Sequence, residues 1–545
     1  MRKISIPFLV VALSLMVTGM AFAVDIPNIS TWTQSMGVGG GGPGIGDLLL
    51  APLFDVRTIV DPNLPAGGGG EGEGEGGGGE AAALQEDGNG GGPGTIPRIQ
   101  YTLINIVNTD PLYGVIARIR FREWKRSDEV LDFDIPLSCN DVWVAELSRN
   151  GEGGGTIIHS PDRWVNASPT ATYFPTAVFP TAGMVFSTAA IPDGTAAEKL
   201  ARTEYGYFEL IGEERVVCKM DANGRWNRLG VPADGLRDVP DVLMAQVYIL
   251  RPEVAISHQY NMNAYSDFAV NPAGIWESPQ TGRPNLLSSV QGEDTNPGVG
   301  GFDQLEAIMS KRFVLFQYVN GNTGTPMSTS TVITLPTKWF HYQPSPFIRV
   351  SGSGNPDWAP FTGYYETILD GDKIHGGEVV KTLIYDRDEN TFRPPENPVS
   401  PGTESTVEIL PWEVNIIGML PEDPLPDPFV RGFRDNVLFA TKNNTSGDTF
   451  NEGWAIIDLS PGYFGASVSD PRNVAPGPFV SQGESGINFN FFGNFYTQYR
   501  GLPAIGIVMT EFYNDTVQGY YGNTVPWNYV AAFGEAPAIL SQGQP

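Results

Sequence analysis

The chain of 545 residues is long enough for roughly two to four domains with a large buried core. Its 33 Lys and Arg residues against 61 Asp and Glu residues give a formal net charge of −28, so nucleic acid and anionic lipid are repelled. Such an acidic surface is typical of a protein that stays soluble and resists self-association outside the cell. Calcium binding by clustered carboxylates is the alternative explanation of the charge.

The first residues predict a cleaved export signal. Arg2 and Lys3 form a short positive region, the run 4–20 is mainly apolar, and Ala21–Ala23 has the small-x-small pattern that signal peptidase cuts. The apolar run is short for a membrane span, and no positive flank follows it. We therefore expect a mature chain that begins at Val24, has no integral membrane span, and is extracellular, on the cell surface or periplasmic. A retained N-terminal anchor is the alternative.

The glycine and proline content indicates an all-β fold. With 66 Gly and 45 Pro, turn residues interrupt the chain about every dozen residues, and helical periodicity is scarce. The strongest pattern is a hairpin of 113–123 and 129–135, joined by five residues. Its apolar face predicts core positions, and these are Val115, Ile119, Phe121, Leu131 and Phe133.

The other face of this hairpin is charged. Pairing the strands places Asp132 and Asp134 opposite Arg118, Arg120 and Arg122, which predicts a cross-strand charge ladder rather than a catalytic carboxylate pair. We expect this face to be exposed to solvent, with lowered aspartate pKa values. Each such pair would contribute under about 1 kcal/mol.

Short alternating runs recur along the whole chain and predict tandem β-sandwich-like domains, with short helices only at 195–203 and 302–311. The predicted domains are 24–270 and 302–545, separated by a linker-like, Pro/Gly-rich segment at 271–301. The further predicted strands are 47–60, 100–108, 141–147, 205–212, 243–250, 312–319, 330–335, 379–385, 406–417, 454–459 and 504–512.

The segment 67–94 predicts a disordered insertion. It is dominated by glycine, carries only negative charge and has almost no apolar side chains, so burial cannot offset the entropy lost on ordering. Because apolar strands flank it, we interpret it as an insertion in a β connection rather than a linker between domains.

The chain's cysteines are Cys139 and Cys218, each near a predicted strand. An exported chain often pairs two cysteines, which makes them a disulfide candidate. Two buried free thiols are the alternative.

The searched motifs give no catalytic, cofactor or nitrogen- and sulfur-based metal site. The four histidines, at positions 159, 258, 341 and 375, have no ligand partner at suitable spacing, which disfavours zinc. The glycine tract 37–46 precedes a strand, unlike a phosphate-binding loop. The acidic runs 370–372 and 386–389 match no full calcium loop, so turns are favoured over calcium binding there.

Two aromatic clusters are the residues best suited to binding. Exposed rings stack on sugars, whereas buried rings fill a sandwich core, and both interpretations remain open. The members of this possible platform are Trp339, Phe340, Tyr342, Phe491, Phe495 and Tyr496.

Several short segments together resemble a family of uncharacterised, secreted, β-rich surface proteins of Gram-negative bacteria. They include Ile106–Thr109, Ile119–Glu123, Glu129–Phe133, Asp141–Trp143, Tyr205–Glu209, Leu335–Lys338 and Gly453–Ala455. The resemblance implies export and a β-rich fold, and it implies no activity or catalytic residues.

We therefore expect an exported, non-enzymatic structural or adhesive protein without a cofactor, whose partners are surface polysaccharide or copies of itself. A carbohydrate-binding protein or polysaccharide-acting enzyme is the alternative.

Overall fold

The computed structural model describes part of the chain. The described residues are 44–60, 97–162, 164–165, 177–217, 239, 241–252, 256–266, 268, 285–286, 305, 309–311, 313–319, 327–341, 378–387, 407–410, 412–419, 452–459, 479–480, 495–496, 498–499, 502–514, 519–526, 532–533 and 540–541. The predicted signal peptide and the predicted insertion lie outside them, as does the predicted linker except 285–286.

The first half of the chain supplies fifteen of the described strands, one α-helix and a 3₁₀ helix at Gly151–Gly153. In chain order these are β1 (Leu48–Asp55), β2 (Thr58–Val60), β3 (Pro97–Ile99), β4 (Tyr101–Asn108), β5 (Tyr113–Glu123), β6 (Glu129–Leu137), β7 (Val142–Arg149), β8 (Thr156–His159), β9 (Trp164–Val165), β10 (Ala177–Val178), β11 (Met184–Val185), α1 (Ala196–Arg202), β12 (Tyr205–Val217), β13 (Leu243–Arg251), β14 (Ile256–Asn261) and β15 (Asn263–Tyr265).

The second half supplies fifteen more described strands and a 3₁₀ helix at Lys338–His341. They are β16 (Ser310–Lys311), β17 (Phe313–Val319), β18 (Met327–Thr334), β19 (Glu378–Asp386), β20 (Val407–Leu410), β21 (Val414–Met419), β22 (Glu452–Asp458), β23 (Phe479–Val480), β24 (Phe495–Tyr496), β25 (Gln498–Tyr499), β26 (Leu502–Pro503), β27 (Ile505–Asn514), β28 (Gly519–Pro526), β29 (Ala532–Phe533) and β30 (Leu540–Ser541).

Two antiparallel sheets of the first half pack into a sandwich. One has the strand order β15-β1-β12-β5-β6 and the other β11-β8-β7-β4-β13-β14. In β4 and β13 every second residue is buried, so one face of the six-stranded sheet points into the core. Trp143 and Phe133, one from each sheet, meet there with ring centroids 6.1 Å apart.

The five-stranded sheet is buried on both faces, and all eight residues of β1 are buried. One face joins the sandwich core. The other face carries Leu48, Leu50 and Ile211, which lie in an apolar cluster with residues from much later in the chain. Those later residues are Leu286, Leu305, Met309, Phe340 and Ile505.

The second half forms a four-stranded sheet, β21-β18-β27-β28, and a five-stranded sheet, β20-β19-β22-β17-β29. Alternation along β18 assigns its two faces to different cores. Ile333 packs with the five-stranded sheet's Val314 and Phe316, whereas Val332 belongs to the core of the first-half sandwich. The two halves therefore share a hydrophobic core.

The predicted all-β fold is confirmed. Most predicted strands overlap described ones, and the predicted strand 406–417 is divided into β20 and β21. Strands β14 and β28 are not among the predicted strands. In β14 the polar His258 occupies one of the alternating buried positions, and β28 has no alternation of apolar and polar residues. The helix predicted at 195–203 is α1, whose N-terminus has a capping box of Thr195 and Glu198. The helix predicted at 302–311 lies largely outside the described residues, and the domain boundaries stay a prediction.

The hairpin prediction is confirmed in its pairing and its apolar face. Strands β5 and β6 are antiparallel, with Arg118 opposite Asp134 and Arg120 opposite Asp132. Of the predicted core positions, Val115, Ile119, Phe121 and Phe133 are fully buried and Leu131 packs against them partly buried.

The expected solvent exposure of the arginine face is wrong. Arg118, Arg120 and Arg122 are buried, with exposed fractions of 0%, 1% and 3%. The later segments that cover this face lie more than 160 positions away in sequence. The alternation of residues within one strand shows which side chains share a face. It does not show whether a segment far along the chain covers that face.

Phe121→Ala tests the core assignment. The Phe121 ring lies 5.0 Å from that of Phe186 and 5.2 Å from that of Phe208, centroid to centroid. We expect its truncation to lower the free energy of unfolding by about 3 to 5 kcal/mol, because burial is lost and a cavity remains. Leu112→Ala, at a side chain that is 71% exposed, is the control and should change stability by less than about 0.5 kcal/mol. Equal effects in urea denaturation would contradict the assignment.

Candidate functional site

The most unusual feature of the described residues is a buried charged cluster on β5, β6 and β12. The arginines of β5 alternate with apolar core residues and so share one face of the sheet. Antiparallel pairing puts carboxylates from both neighbouring strands on that face, with Arg120 opposite Asp132 on one side and Glu209 on the other. Burying charge is costly unless each charge is paired, so these contacts decide whether the sheet can be covered.

Arg118 lies at one end of the cluster. Its Nε donates to Asp134 Oδ1 at 2.5 Å and its Nη1 donates to Asp132 Oδ2 at 2.9 Å. Its Nη2 lies 3.4 Å from Glu213 Oε1. Burial alone would lower the pKa of Arg118, but these carboxylates outweigh it and raise the pKa, so the guanidinium stays charged.

Arg120 is less well satisfied. Its Nε lies 2.7 Å from Glu129 Oε2, and its Nη atoms lie 3.9 Å from Asp132 Oδ2 and from Glu209 Oε2. None of its guanidinium nitrogens makes a well-directed hydrogen bond to a described residue. Burial is the main cause that lowers the pKa of Arg120, and the neighbouring charge of Arg122 adds to it.

Arg122 connects the cluster to the second half of the chain. Its Nε donates to Glu209 Oε1 at 2.5 Å and its Nη1 donates to the Ser127 carbonyl at 2.9 Å. Its guanidinium carbon lies 5.2 Å from the ring centroid of Trp339 and 5.6 Å from that of Phe340. These distances allow cation–π contacts, so the 3₁₀ helix Lys338–His341 closes this end of the cluster.

The expected lowering of the aspartate pKa values is wrong. Burial raises the pKa of Asp132 to about 6, with the charge of Glu129 as the next cause, and burial also raises the pKa of Asp134. Nearby arginines lower both values but do not outweigh the loss of water and the carboxylate neighbours. The expectation failed because it assumed a solvent-exposed face.

A second ionic group holds the hairpin loop. The Glu123 carboxylate accepts hydrogen bonds from the backbone N–H groups of Lys125 and Arg126, at 2.8 and 2.7 Å. Arg202, at the end of α1, donates to both oxygens of Glu123 and to Asp128. Burial, followed by the charge of Glu123, raises the pKa of Asp128 to about 7. The helix is thereby tied to the loop.

Aromatic rings from both halves stack beside this loop. Trp124 lies parallel to Tyr205 at 4.9 Å and edge-on to Trp412 at 5.4 Å, centroid to centroid. Lys125 Nζ lies 5.0 Å from the Trp412 ring centroid. The Val414 backbone N–H donates to the Trp124 carbonyl at 2.9 Å. No local sequence pattern relates residue 124 to residue 412, so the sequence alone does not predict this contact.

A third contact between the halves is centred on His258 of β14. Its Nε2 lies 2.8 Å from Glu511 Oε1 and its Nδ1 lies 2.9 Å from Thr524 Oγ1. Glu511 also accepts a hydrogen bond from Arg251. The ring lies so close to Gly522 that a Cβ there would be 2.8 Å from its Cε1 atom. In the sequence His258 has no partner at ligand spacing, because its partners in the fold lie over 250 positions away.

The carboxylate, imidazole and hydroxyl of this contact have the order of a catalytic relay. Because a carboxylate can only accept, we assign a ring proton to Nε2. Burial, followed by the charge of Arg251, lowers the pKa of His258 to about 3. An imidazole this weakly basic is a poor general base near neutral pH, so the arrangement favours a structural contact.

The sequence-predicted site residues fall in different places. Cys139 follows β6 and is disulfide-bonded. Cys218 lies outside the described residues, so its pairing stays a prediction.

The predicted aromatic platform is only partly described. Phe340 is buried in an apolar cluster and Trp339 packs against it, with ring centroids 5.0 Å apart. These two rings therefore fill the core, the alternative that the sequence left open. Phe495 and Tyr496 form β24, whereas Tyr342 and Phe491 lie outside the described residues.

The acidic runs for which calcium binding is the alternative lie mostly outside the described residues. Residues 370–372 lie outside the described part of the chain, and of 386–389 only Asp386 and Arg387 are described. Within the described residues, no three His, Cys, Asp or Glu side chains are grouped to hold a metal ion. Also within them, no helix has the length and apolar character needed to cross a membrane.

Comparison with known proteins gave no match: no family model, no curated protein and no solved structure is significantly similar to the chain.

Arg120→Ala tests the importance of the buried cluster. Removing this guanidinium takes away the nearest counter-charge of Glu129 and one of the two arginines beside Asp132 and Glu209, so we expect the free energy of unfolding to fall by about 3 to 5 kcal/mol. Arg387→Ala is the matched control, because Arg387 pairs with Glu452 at 2.8 Å but its side chain is 69% exposed. It should cost under about 1 kcal/mol. Similar losses for both variants in urea denaturation would refute the buried-cluster account.

Proposed function

We propose that the protein is exported and acts outside the cytoplasm as a non-enzymatic structural or adhesive surface protein. The observation that carries this proposal is the use of buried ionisable groups to join strands distant in sequence. Arg118, Arg122, Arg202 and His258 all contact strands, loops or helices remote from their own in the chain. Such pairing stabilises a fixed shape and leaves these groups poorly placed for reversible proton transfer.

Export is supported by the sequence pattern at the N-terminus and by the acidic composition. The resemblance to secreted β-rich surface proteins of Gram-negative bacteria supports the same location. A rigid all-β scaffold with a shared core suits a protein that bears load or presents a surface, with surface polysaccharide or further copies of the chain as partners.

Fractionation of the native host with mass spectrometry of the mature N-terminus tests this proposal. We expect the protein in the envelope or medium, beginning at Val24, and we expect its deletion to weaken cell adhesion or surface integrity. A cytoplasmic protein that retains Met1 would contradict export. Release of sugars from polysaccharide by the purified protein would contradict the non-enzymatic role.

Carbohydrate binding is the second candidate, and one pair of rings favours it. Tyr385 of β19 and Trp454 of β22 are half-buried neighbours whose parallel rings have centroids 3.8 Å apart. Gln317 of β17 lies opposite Trp454 and is exposed. A sugar could stack on the exposed part of one ring and hydrogen-bond to the amide. The net charge of −28 favours a neutral glycan over an acidic one.

Glycan-array binding by the wild type and by Trp454→Ala tests this candidate. We expect neutral glycans to bind the wild type and to lose at least about fivefold in affinity in the variant, since truncating a tryptophan that anchors a binding surface typically costs about 1 kcal/mol or more. Leu112→Ala, at an exposed side chain of the other half, is the control and should bind normally. Unchanged binding by Trp454→Ala would exclude this face.

A further inference from the structure

The buried cluster contains more carboxylates than guanidiniums. Three arginines of β5 lie within 4 Å of five carboxylate side chains. The carboxylates are Glu129, Asp132, Asp134, Glu209 and Glu213. If all were ionised, the cluster would hold two uncompensated negative charges. Glu129 is 32% exposed and reaches water, but the other four are at most 13% exposed.

Glu213 is the least compensated of the five. It lies where the pairing of β12 with β5 shifts register, between Gly212 and Glu214, so it has no direct partner on β5. Its nearest cation is Arg118 Nη2 at 3.4 Å, and neither carboxyl oxygen has a hydrogen-bond partner among the described residues. In such a position the free-energy cost of burying an ionised carboxylate is largely uncompensated.

The charges around Glu213 come from each strand packed against it. Arg118 and Arg120 of β5 attract its ionised form, whereas Asp132 and Asp134 of β6 repel it. Arg118 also pairs with both aspartates, so its positive charge is largely compensated by them. Burial, followed by Asp134, raises the pKa of Glu213 well above its ordinary value.

A proton fits this imbalance better than a metal ion does. The guanidiniums of Arg118 and Arg120 lie among the carboxylates and would repel a divalent cation. A proton on Glu213 removes one negative charge and turns one of its oxygens into a donor for a neighbouring carboxylate.

We propose that the folded protein keeps Glu213 protonated at neutral pH. This makes the buried cluster a proton-dependent contact between the five-stranded sheet of the first half and the later segments that cover its charged face, here called the cover. The cover contacts the same cluster through Trp339 and Phe340 on Arg122. Loss of the proton draws Arg118 away from its aspartates and weakens the paired network that lies beneath the cover.

The direction of the pH dependence follows from the difference between the two states. In the unfolded chain Glu213 ionises with an ordinary pKa, so the folded state binds the extra proton. The stabilising effect is complete below the unfolded pKa and is lost as pH rises through the folded pKa. Ionisation of Glu213 should therefore make the protein less stable in alkaline than in neutral solution.

Glu213→Gln tests the proposal on the full chain. The amide is neutral and similar in shape to the protonated acid, but it takes up no proton on folding. We therefore expect the variant to have the higher melting temperature already at about pH 7 and a larger advantage at about pH 9, and we expect the two proteins to converge as the pH falls towards the unfolded pKa of Glu213. Other titrating groups, including His258 and Lys311, are common to both proteins, so the difference between the two isolates Glu213. Glu452→Gln, an exposed carboxylate paired with Arg387, is the matched control and should follow the wild-type profile.

Infrared spectroscopy of the wild type and the variant gives a readout that does not depend on their stability. We expect the wild type minus Glu213→Gln difference spectrum to contain a band of a protonated carboxyl group at neutral pH that disappears in alkaline solution, because the bands of other carboxyl groups with raised pKa values, such as Asp128, cancel in the difference. The proposal is overturned if the difference spectrum has no such band at neutral pH. It is also overturned if Glu213→Gln is destabilised equally at both pH values, because the ionised carboxylate would then be the form that the cluster requires.

Discussion

The burial of three arginines on one strand is the constraint on which the rest of the structure depends. β5 lies inside a sheet with both faces covered, so Arg118, Arg120 and Arg122 have lost nearly all contact with water. An isolated ion in a dry interior costs of the order of 20 kcal/mol in an idealised estimate, which no hydrophobic contact nearby could offset. Carboxylates must therefore come from both adjacent strands, and the antiparallel register of β5 with β6 and β12 delivers them.

The same constraint explains how the two halves of the chain meet. The charged face cannot be left half-covered, because partial hydration would neither solvate the ions fully nor exclude water from the adjoining apolar cluster. Leu48 and Leu50 on this face need partners, and the second half provides them together with the rings over Arg122. Trp124 with Trp412, and His258 with Glu511, add contacts at separate places. Several independent contacts fix a relative orientation better than one large apolar patch, because polar contacts are directional.

These contacts also connect the structure with its proposed role. A hydroxyl, an imidazole and a carboxylate in sequence would suggest catalysis on geometry alone. The burial of His258, followed by the Arg251 charge beside Glu511, lowers the pKa of His258 and removes the basicity that catalysis requires. The buried groups act on shape, whereas the half-buried rings of Tyr385 and Trp454 are the pair proposed for carbohydrate binding.

The sequence by itself determined the strand-rich fold, the position of most strands and the pairing within the hairpin of β5 and β6. These features depend on neighbours in the chain: alternation sets the faces of a strand, and a five-residue connection sets its partner. The acidic composition and the predicted cleavage pattern at the N-terminus are likewise read from the sequence without knowledge of the fold.

Only the tertiary structure decided the environment of those residues. The arginine face has the alternation of a solvent-exposed ladder, yet it is buried, because its cover comes from Phe340 and Ile505, far along the chain. Because of that burial, the pKa of Asp132 is raised and not lowered as expected. The same burial makes Glu213, at a register shift, the least compensated carboxylate. The sequence does not predict the partners of His258 and Trp124 either, because those partners also lie far along the chain. Whether a side chain is wet or dry depends on segments that its own neighbours do not encode.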